Sequence, residues 1–264
     1  MSKYTRVYNN SFSEYLAYRL NFILWRIRVI VMVLISYFLW LSVYANHTQV
    51  FGYGKANMLT YILLITFLQG IVLSTQTHKI ASEINTGDLS NYLIRPINYF
   101  WFNFFRDLSD KTINTFFSLI EISLFIVFLS PPIFFQKNIV YLFLFLLSVI
   151  FSSLLYFEIS VLLSFIGFWS KETWAPRFIF FILVTFLAGT YFPLDIFPQP
   201  IYSVLELMPF TYIIYFPLKI YLGNVSFYFI VKGFAITFFW LLSLLIFVKL
   251  LWSKGLKTYT SEGR

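Results

Sequence analysis

The chain has no cysteine, two histidines and few charged residues. Charged side chains make up 11% of its 264 residues, whereas about 25% is usual for a water-soluble domain. Without cysteine, neither a disulfide nor a thiolate metal site can form. His47 and His78 fall in segments that we expect on opposite sides of a membrane, so we predict no histidine-based metal site or catalytic triad within one chain.

Motifs for nucleotide hydrolysis and for hydrolytic catalysis are also missing. No G-x-x-x-x-G-K-[ST] phosphate loop occurs, and Gly52-Tyr53-Gly54-Lys55 does not have its spacing. Neither a G-x-S-x-G motif nor a pair of catalytic carboxylates is visible. We therefore predict that the chain is not an enzyme, has no catalytic residue and no metal site, and binds no cofactor of its own.

Long apolar runs dominate what the sequence does contain. Hydrophobic residues make up 59% of the chain, and its mean hydropathy is +0.78. Because about 20 helical residues cross a hydrocarbon core of roughly 30 Å, the sequence predicts an all-α integral membrane protein with six transmembrane helices. We place these spans at residues 27–45, 57–74, 112–130, 139–169, 178–192 and 227–251. The fourth run is too long for one perpendicular crossing and too short for two, so we interpret it as one helix that extends beyond the inner surface.

The distribution of basic residues predicts the orientation of these spans. If the N-terminus is inside, 15 of the 19 lysines and arginines lie in cytoplasmic segments, as is usual for membrane proteins. Both termini are then cytoplasmic. The same distribution accounts for the net charge of +8 without nucleic acid as a partner.

The segments between the spans divide this single transmembrane domain, residues 1–264, into further parts. Residues 11–28 have apolar positions near helical spacing, which predicts an N-terminal amphipathic helix in the inner interface, with Arg19, Arg26 and Arg28 facing lipid headgroups; the alternative is a cytosolic extension of span one. The predicted divisions are a cytoplasmic and interfacial part (1–28), spans one and two (29–74), a cytoplasmic segment (75–111), spans three to five (112–192), an outer segment (193–226), and span six with its tail (227–264).

The outer segment is apolar but contains five of the nine prolines, a density that prevents a straight spanning helix. Non-helical backbone at membrane depth must be buried in protein or line a wet cavity. We therefore predict an outer re-entrant helical hairpin between spans five and six. Pro193, Glu206 and Pro209 in this segment are candidates for an outer gate.

Two carboxylates fall within the apolar runs. Glu121 lies nine residues into span three, about 14 Å deep, where a lone carboxylate is costly unless it is protonated, paired or facing a polar cavity. It is therefore either a substrate or proton contact in a pathway, or a carboxyl bonded to a neighbouring helix, for example to a Ser or Tyr hydroxyl. Glu158 lies near the inner end of span four, and we interpret it as an interfacial or partner contact. Other polar residues in the spans are sparse, which argues against an ion-coupled carrier.

Three motifs connect the chain to a known family. The cytoplasmic segment contains Gly87-Asp88-Leu89, followed by a leucine and by Arg95-Pro96. The outer segment contains Phe192-Pro193, Pro198 and Met208-Pro209. The tail, residues 255–259, has the sequence G-L-K-T-Y. In these features the chain resembles the membrane subunits of type-2 ABC exporters, in the branch of small, separately encoded six-span permeases.

This resemblance implies a function and a set of partners. Cytosolic ABC ATPase subunits would bind the ATP and Mg²⁺ and dock on the cytoplasmic segment, and a second permease chain, identical or a sister protein, would complete the pathway. The location would be a bacterial-type plasma (inner) membrane, with lipid as the surroundings. The residues implied in coupling to the ATPase are Glu83, Gly87, Asp88, Leu89, Tyr92, Leu93, Arg95 and Pro96. Two alternatives stay open: an ATP-independent carrier or channel, and a membrane-embedded enzyme acting on lipid.

Overall fold

A computed structural model describes residues 3–17, 19–223 and 225–260. In this part of the chain the structure is almost entirely helical, and the only strands are Gln49–Val50 (β1) and Tyr53–Gly54 (β2), which pair antiparallel. The helices are α1 (Lys3–Ala17), α2 (Arg19–Val43), α3 (Lys55–Leu68), α4 (His78–Thr86), α5 (Leu89–Leu93), α6 (Tyr99–Leu129), α7 (Ile139–Ser164), α8 (Trp174–Leu187), α9 (Gln199–Leu205), α10 (Tyr215–Leu222) and α11 (Phe227–Thr258).

Five helical segments within the described residues are long and apolar enough to cross a membrane. They are Phe22–Val43, Lys55–Thr86, Tyr99–Leu129, Ile139–Phe168 and Phe227–Thr258, and they coincide with five of the six predicted spans. The remaining one, α8, is apolar but has 14 residues. At 1.5 Å per residue it is about 21 Å long, which is shorter than a bilayer core. The predicted span five, residues 178–192, therefore stays a prediction.

The second of these segments is interrupted rather than straight. After α3, residues Gln69–Leu73 form a π-helical turn, and α4 begins at His78. A Cβ added at Gly70 in this turn would lie 2.9 Å from the backbone oxygen of Asn114. The missing side chain therefore allows α6 to pack directly against the turn.

Helix α7 confirms the interpretation of the fourth apolar run as one extended helix. It begins after Asn138, whose side chain accepts a hydrogen bond from the Val140 amide, and continues through a 3-10 turn at Phe165–Phe168. The preceding helix α6 ends at Ser130 in a left-handed conformation, because Pro131-Pro132 cannot continue it.

The N-terminal region differs from its prediction. The residues of the expected interfacial helix, 11–28, are helical wherever the structure describes them, as parts of α1 and α2. Arg26 was expected to face lipid headgroups, but its side chain is buried, with 7% exposure. The side chain of Arg19 lies outside the described residues, and Arg28 is exposed and stacks over the Trp25 ring.

Two apolar clusters hold the helices together. The larger one contains the buried residues of α3 and of the outer segment, including Tyr215, Phe216 and Leu218. The smaller one lies around α4 and α5 and at the C-terminal ends of α7 and α11. The segment 75–111, predicted to be cytoplasmic, therefore packs against the rest of the protein through this smaller cluster.

Candidate functional site

The turn between α4 and α5 is built around a glycine. Gly87 ends α4 with φ +84°, a left-handed conformation that glycine adopts without strain. The Ser90 hydroxyl donates to the Gly87 carbonyl at 2.7 Å, and Leu89 is fully buried. The short helix α5 follows this turn. The Asp88 side chain precedes α5 but does not cap it, and instead accepts a hydrogen bond from the Thr86 hydroxyl at 2.7 Å.

Residues 93–96, which we name the tip, form the exposed end of this region. The side chains of Leu93 and Ile94 are 45% and 83% exposed, and Arg95 and Pro96 are also exposed. Neither apolar residue belongs to a candidate membrane span. Neighbouring exposed apolar side chains of this kind form a surface suited to contact with another protein or with the membrane.

Glu83 lies behind the tip and is engaged within the chain. Its carboxylate accepts a hydrogen bond from the Tyr99 hydroxyl and pairs with Arg106, whose Nη2 lies 2.6 Å from Oε1. The side chain of Glu83 is 13% exposed. Burial, together with the adjacent Glu83 carboxylate, raises the pKa of Tyr92 on α5. The residue that the sequence suggested as a docking contact therefore fixes α4 to the base of α6.

Three further contacts hold the region from other sides. Lys3 on α1 donates to the Pro96 carbonyl at 2.8 Å. Lys79 on α4 pairs with Glu14 on α1 at 2.7 Å. The hydroxyl of Tyr259, the residue that follows α11, donates to the Gly87 carbonyl at 2.6 Å.

Glu121 is paired with a neighbouring helix, but with an arginine. Arg26 on α2 donates through Nε to Oε1 at 2.6 Å and through Nη2 to Oε2. The two side chains are 8% and 10% exposed, and Nη1 of Arg26 lies 3.4 Å from the Asn114 side-chain oxygen. The carboxylate is thus bonded to a neighbouring helix, which was one of the two alternatives, but through a bidentate ion pair rather than through a hydroxyl.

Helix α6 carries more buried polar residues than its hydropathy predicts. Lys111 donates to the carbonyls of Val72 and Ser74 at 2.9 and 2.7 Å and lies 3.3 Å from Asp107. Buried polar side chains on this helix include Asn103, Arg106, Asp107, Asp110, Lys111, Asn114 and Ser118. Their spacing of three and four residues is the helical signal that could have identified them, because it continues to Glu121.

The outer segment is tied to its surroundings through polar contacts. Glu206 pairs with Lys232 on α11 at 2.7 Å, and Pro193 and Pro209 are buried. Asp195 accepts hydrogen bonds from the Tyr53 hydroxyl at 2.9 Å and from Lys219 at 2.9 Å. Burial, with a contribution from Asp195, raises the pKa of Tyr53.

The predicted site residues thus fall into separate places. The coupling candidates, Glu83 to Pro96, form one region, whereas Glu121 contacts α2. Glu206 pairs with α11, and the turn that begins at Pro209 packs against α10 and α11. Glu158 has a buried carboxylate oxygen with no hydrogen-bond partner among the described residues.

The apolar helices define a multi-pass membrane protein. A family model described as "ABC-2 family transporter protein" matches residues 30–263. The chain therefore belongs to the ABC-2 transporter family and is a type-2 ABC permease subunit, a membrane transport subunit. A search of curated proteins found no significant match.

Proposed function

We propose that this permease forms half of an export pathway and is driven by separate cytosolic ATPase subunits that dock on the tip. The observation that carries the proposal is the exposure of Leu93 and Ile94 on a turn that is otherwise packed and hydrogen-bonded. The partner subunits would bind ATP and Mg²⁺, because the sequence has no phosphate loop of its own.

The proposed topology has six spans with both termini in the cytoplasm of a bacterial-type cell. The asymmetry of basic residues supports it. In this topology α8 is the short fifth span, and the outer segment fills the remaining depth as a re-entrant hairpin. The burial of residues 211–214, which precede α10, supports the hairpin, since irregular backbone at membrane depth needs such cover.

The contacts behind the tip support a mechanism. When the ATPase subunits close on ATP, they would push on residues 93–96. Because α4 is joined to α6 through Glu83 and Arg106, and to α1 through Lys79 and Glu14, these helices would move with the turn. The spans would then rock, and the outer segment with Pro193, Glu206 and Pro209 would open outward.

A second permease chain, identical or a sister protein, would complete the pathway. Only 11% of the most apolar 18-residue stretch of α2 is buried within this chain. A face of this kind is available to lipid and to another permease.

The test is a charge substitution in the tip. Ile94→Glu would place a carboxylate in the proposed apolar contact, so we expect at least a tenfold loss of vanadate-sensitive ATP hydrolysis that co-purifies with the tagged chain from its native membrane. The matched control is Phe135→Glu, which alters an apolar residue of 64% exposure in the loop between α6 and α7 and should leave the co-purified activity unchanged. Full activity with Ile94→Glu would refute the docking site. Solute flux by the purified chain alone in liposomes would favour an ATP-independent carrier or channel.

A further inference from the structure

Tyr259 lies just beyond the end of α11 and reaches back to the turn between α4 and α5. Its backbone is extended, with φ −75° and ψ 132°. Its hydroxyl donates to the Gly87 carbonyl at 2.6 Å and accepts a hydrogen bond from the Ser90 amide at 3.0 Å. One phenol oxygen therefore joins both ends of the turn to the C-terminal helix.

The two bonds depend on the hydroxyl and not on the ring. A tyrosine hydroxyl can donate and accept at the same time, and both partners here are backbone groups, so their positions follow the path of the turn. The left-handed conformation of Gly87 directs its carbonyl to this position. Phenylalanine would keep the ring contact with Phe168, whose centroid lies 6.3 Å away, but would lose both bonds.

The end of α11 is itself held firmly in the smaller apolar cluster. The Trp252 ring stacks on the Tyr99 ring with centroids 5.3 Å apart and an interplanar angle of 17°. Gly255 is buried, and a Cβ at this position would collide with the Phe168 ring. Because the end of α11 is fixed in this way, a displacement of the α4–α5 turn acts on α11 through the hydrogen bonds of Tyr259.

We propose that Tyr259 is a positioning residue that couples movement of the α4–α5 turn to α11. The proposal rests on the proposed function, in which ATPase subunits displace this turn. Tyr259 acts through its hydrogen bonds to the Gly87 carbonyl and the Ser90 amide. Within the permease it makes α11, the last candidate span, move together with the docking region.

The absence of cysteine allows a direct test. Spin labels at Asn91→Cys and Lys257→Cys, two exposed positions, report the distance between the turn and the end of α11 in the purified chain in lipid nanodiscs. We expect one narrow distance distribution, and a broader distribution when Tyr259→Phe is added. The matched control is Tyr228→Phe, a 73% exposed tyrosine on the first turn of α11, which should leave the distribution narrow.

This first experiment needs no ATPase, so its failure is separate from failure of the proposed function. If Tyr259→Phe leaves the distribution as narrow as in the parent chain, the coupling role is overturned, even if ATPase subunits bind. If ATPase subunits do not bind but the distribution broadens, the proposed function fails while the hydrogen-bonded connection stands.

The second experiment uses the complex with its ATPase, trapped with ATP and vanadate. In the parent complex we expect the distance between the two labels to change by less than about 2 Å, because the turn and α11 move together. With Tyr259→Phe we expect a change of 4 Å or more, with ATPase binding retained. A constant distance in both complexes, measured alongside a nucleotide-dependent movement of the turn, would overturn the proposal.

Discussion

The ion pair between Arg26 and Glu121 gives the sharpest prediction for stability. Glu121→Gln would leave the Arg26 guanidinium buried with a neutral partner, and Arg26→Met would leave the carboxylate buried without its cation. The contact is bidentate, and each side chain is about nine-tenths buried. Removing one member of such a pair costs about 3–5 kcal/mol, because the remaining charge stays buried without compensation.

This cost can be compared with that of two other changes. Replacing both residues by apolar ones, Arg26→Met with Glu121→Leu, should be close to neutral, since no charge is left behind. Glu14→Gln is the control for an exposed pair, because Glu14 and Lys79 are 47% and 30% exposed. Exposed pairs contribute about 0–1 kcal/mol.

The assay is the apparent melting temperature of the purified protein in one detergent, followed by size-exclusion chromatography after heating. For a chain of this size a loss of 3–5 kcal/mol corresponds to a decrease on the order of 10 °C. We expect that decrease for each single variant, a recovery in the double variant, and little change for Glu14→Gln. If Glu121→Gln keeps its melting temperature but alters the range of exported compounds, the reasoning fails, and the carboxylate contacts substrate.

Two further predictions concern packing and hydrogen bonding. Gly255→Ala should destabilise the protein by about 1–3 kcal/mol, because the added methyl group would collide with the Phe168 ring. Thermal unfolding checks this, with the exposed substitution Lys254→Ala as the control. Equal melting temperatures of the two variants would contradict the prediction. Tyr53→Phe should cost about 1 kcal/mol below pH 10 by removing the bond to Asp195. The folded-state pKa of Tyr53 is raised, so above pH 10 the tyrosine ionises in the unfolded chain first, and stability falls as pH rises. The parent protein should therefore lose stability more steeply above pH 10 than Tyr53→Phe does. Parallel pH profiles would show that the fold does not raise the pKa of Tyr53.

Most of the membrane architecture follows from the sequence because the physical signal is strong. A run of about 20 apolar residues has few structures open to it other than a spanning helix, and five such runs appear as long helices. The fifth run is weaker, since α8 ends at Leu187 and Gly189 has φ +79°. Local backbone geometry ends this helix early, and hydropathy alone does not report it.

The polar interior of α6 shows the opposite case. Arg106 and Lys111 are basic residues at the edge of an apolar run, and charge counting assigns them to the cytoplasm. In the fold they are buried beside Glu83 and Asp107, respectively. Hydropathy averages over a helix, whereas burial depends on which face meets a neighbour, so the helical spacing of the polar residues carries the information that the average loses.

The contacts of Arg26 could not be predicted for a different reason. Its partner Glu121 is 95 residues away in the sequence, and neither residue alone specifies which helix the other belongs to. A buried carboxylate requires compensation, which limits the partner to a cation or to several donors. The sequence therefore predicts that Glu121 has a partner, but only the packing of α2 against α6 identifies it.

The same distinction applies to the region around the tip. The G-D-L and R-P motifs locate the turn, but they do not separate residues that face outward from residues that hold the turn in place. Leu93 and Ile94 are exposed, while Glu83 and Leu89 face the interior and Gly87 accepts the bond from Tyr259. Substitutions of the first kind should weaken docking and spare the fold, whereas substitutions of the second kind should alter the position of the tip. A loss of ATPase binding at Glu83 or Gly87 therefore does not identify a docking contact unless the distance between the turn and α11 is shown to be unchanged.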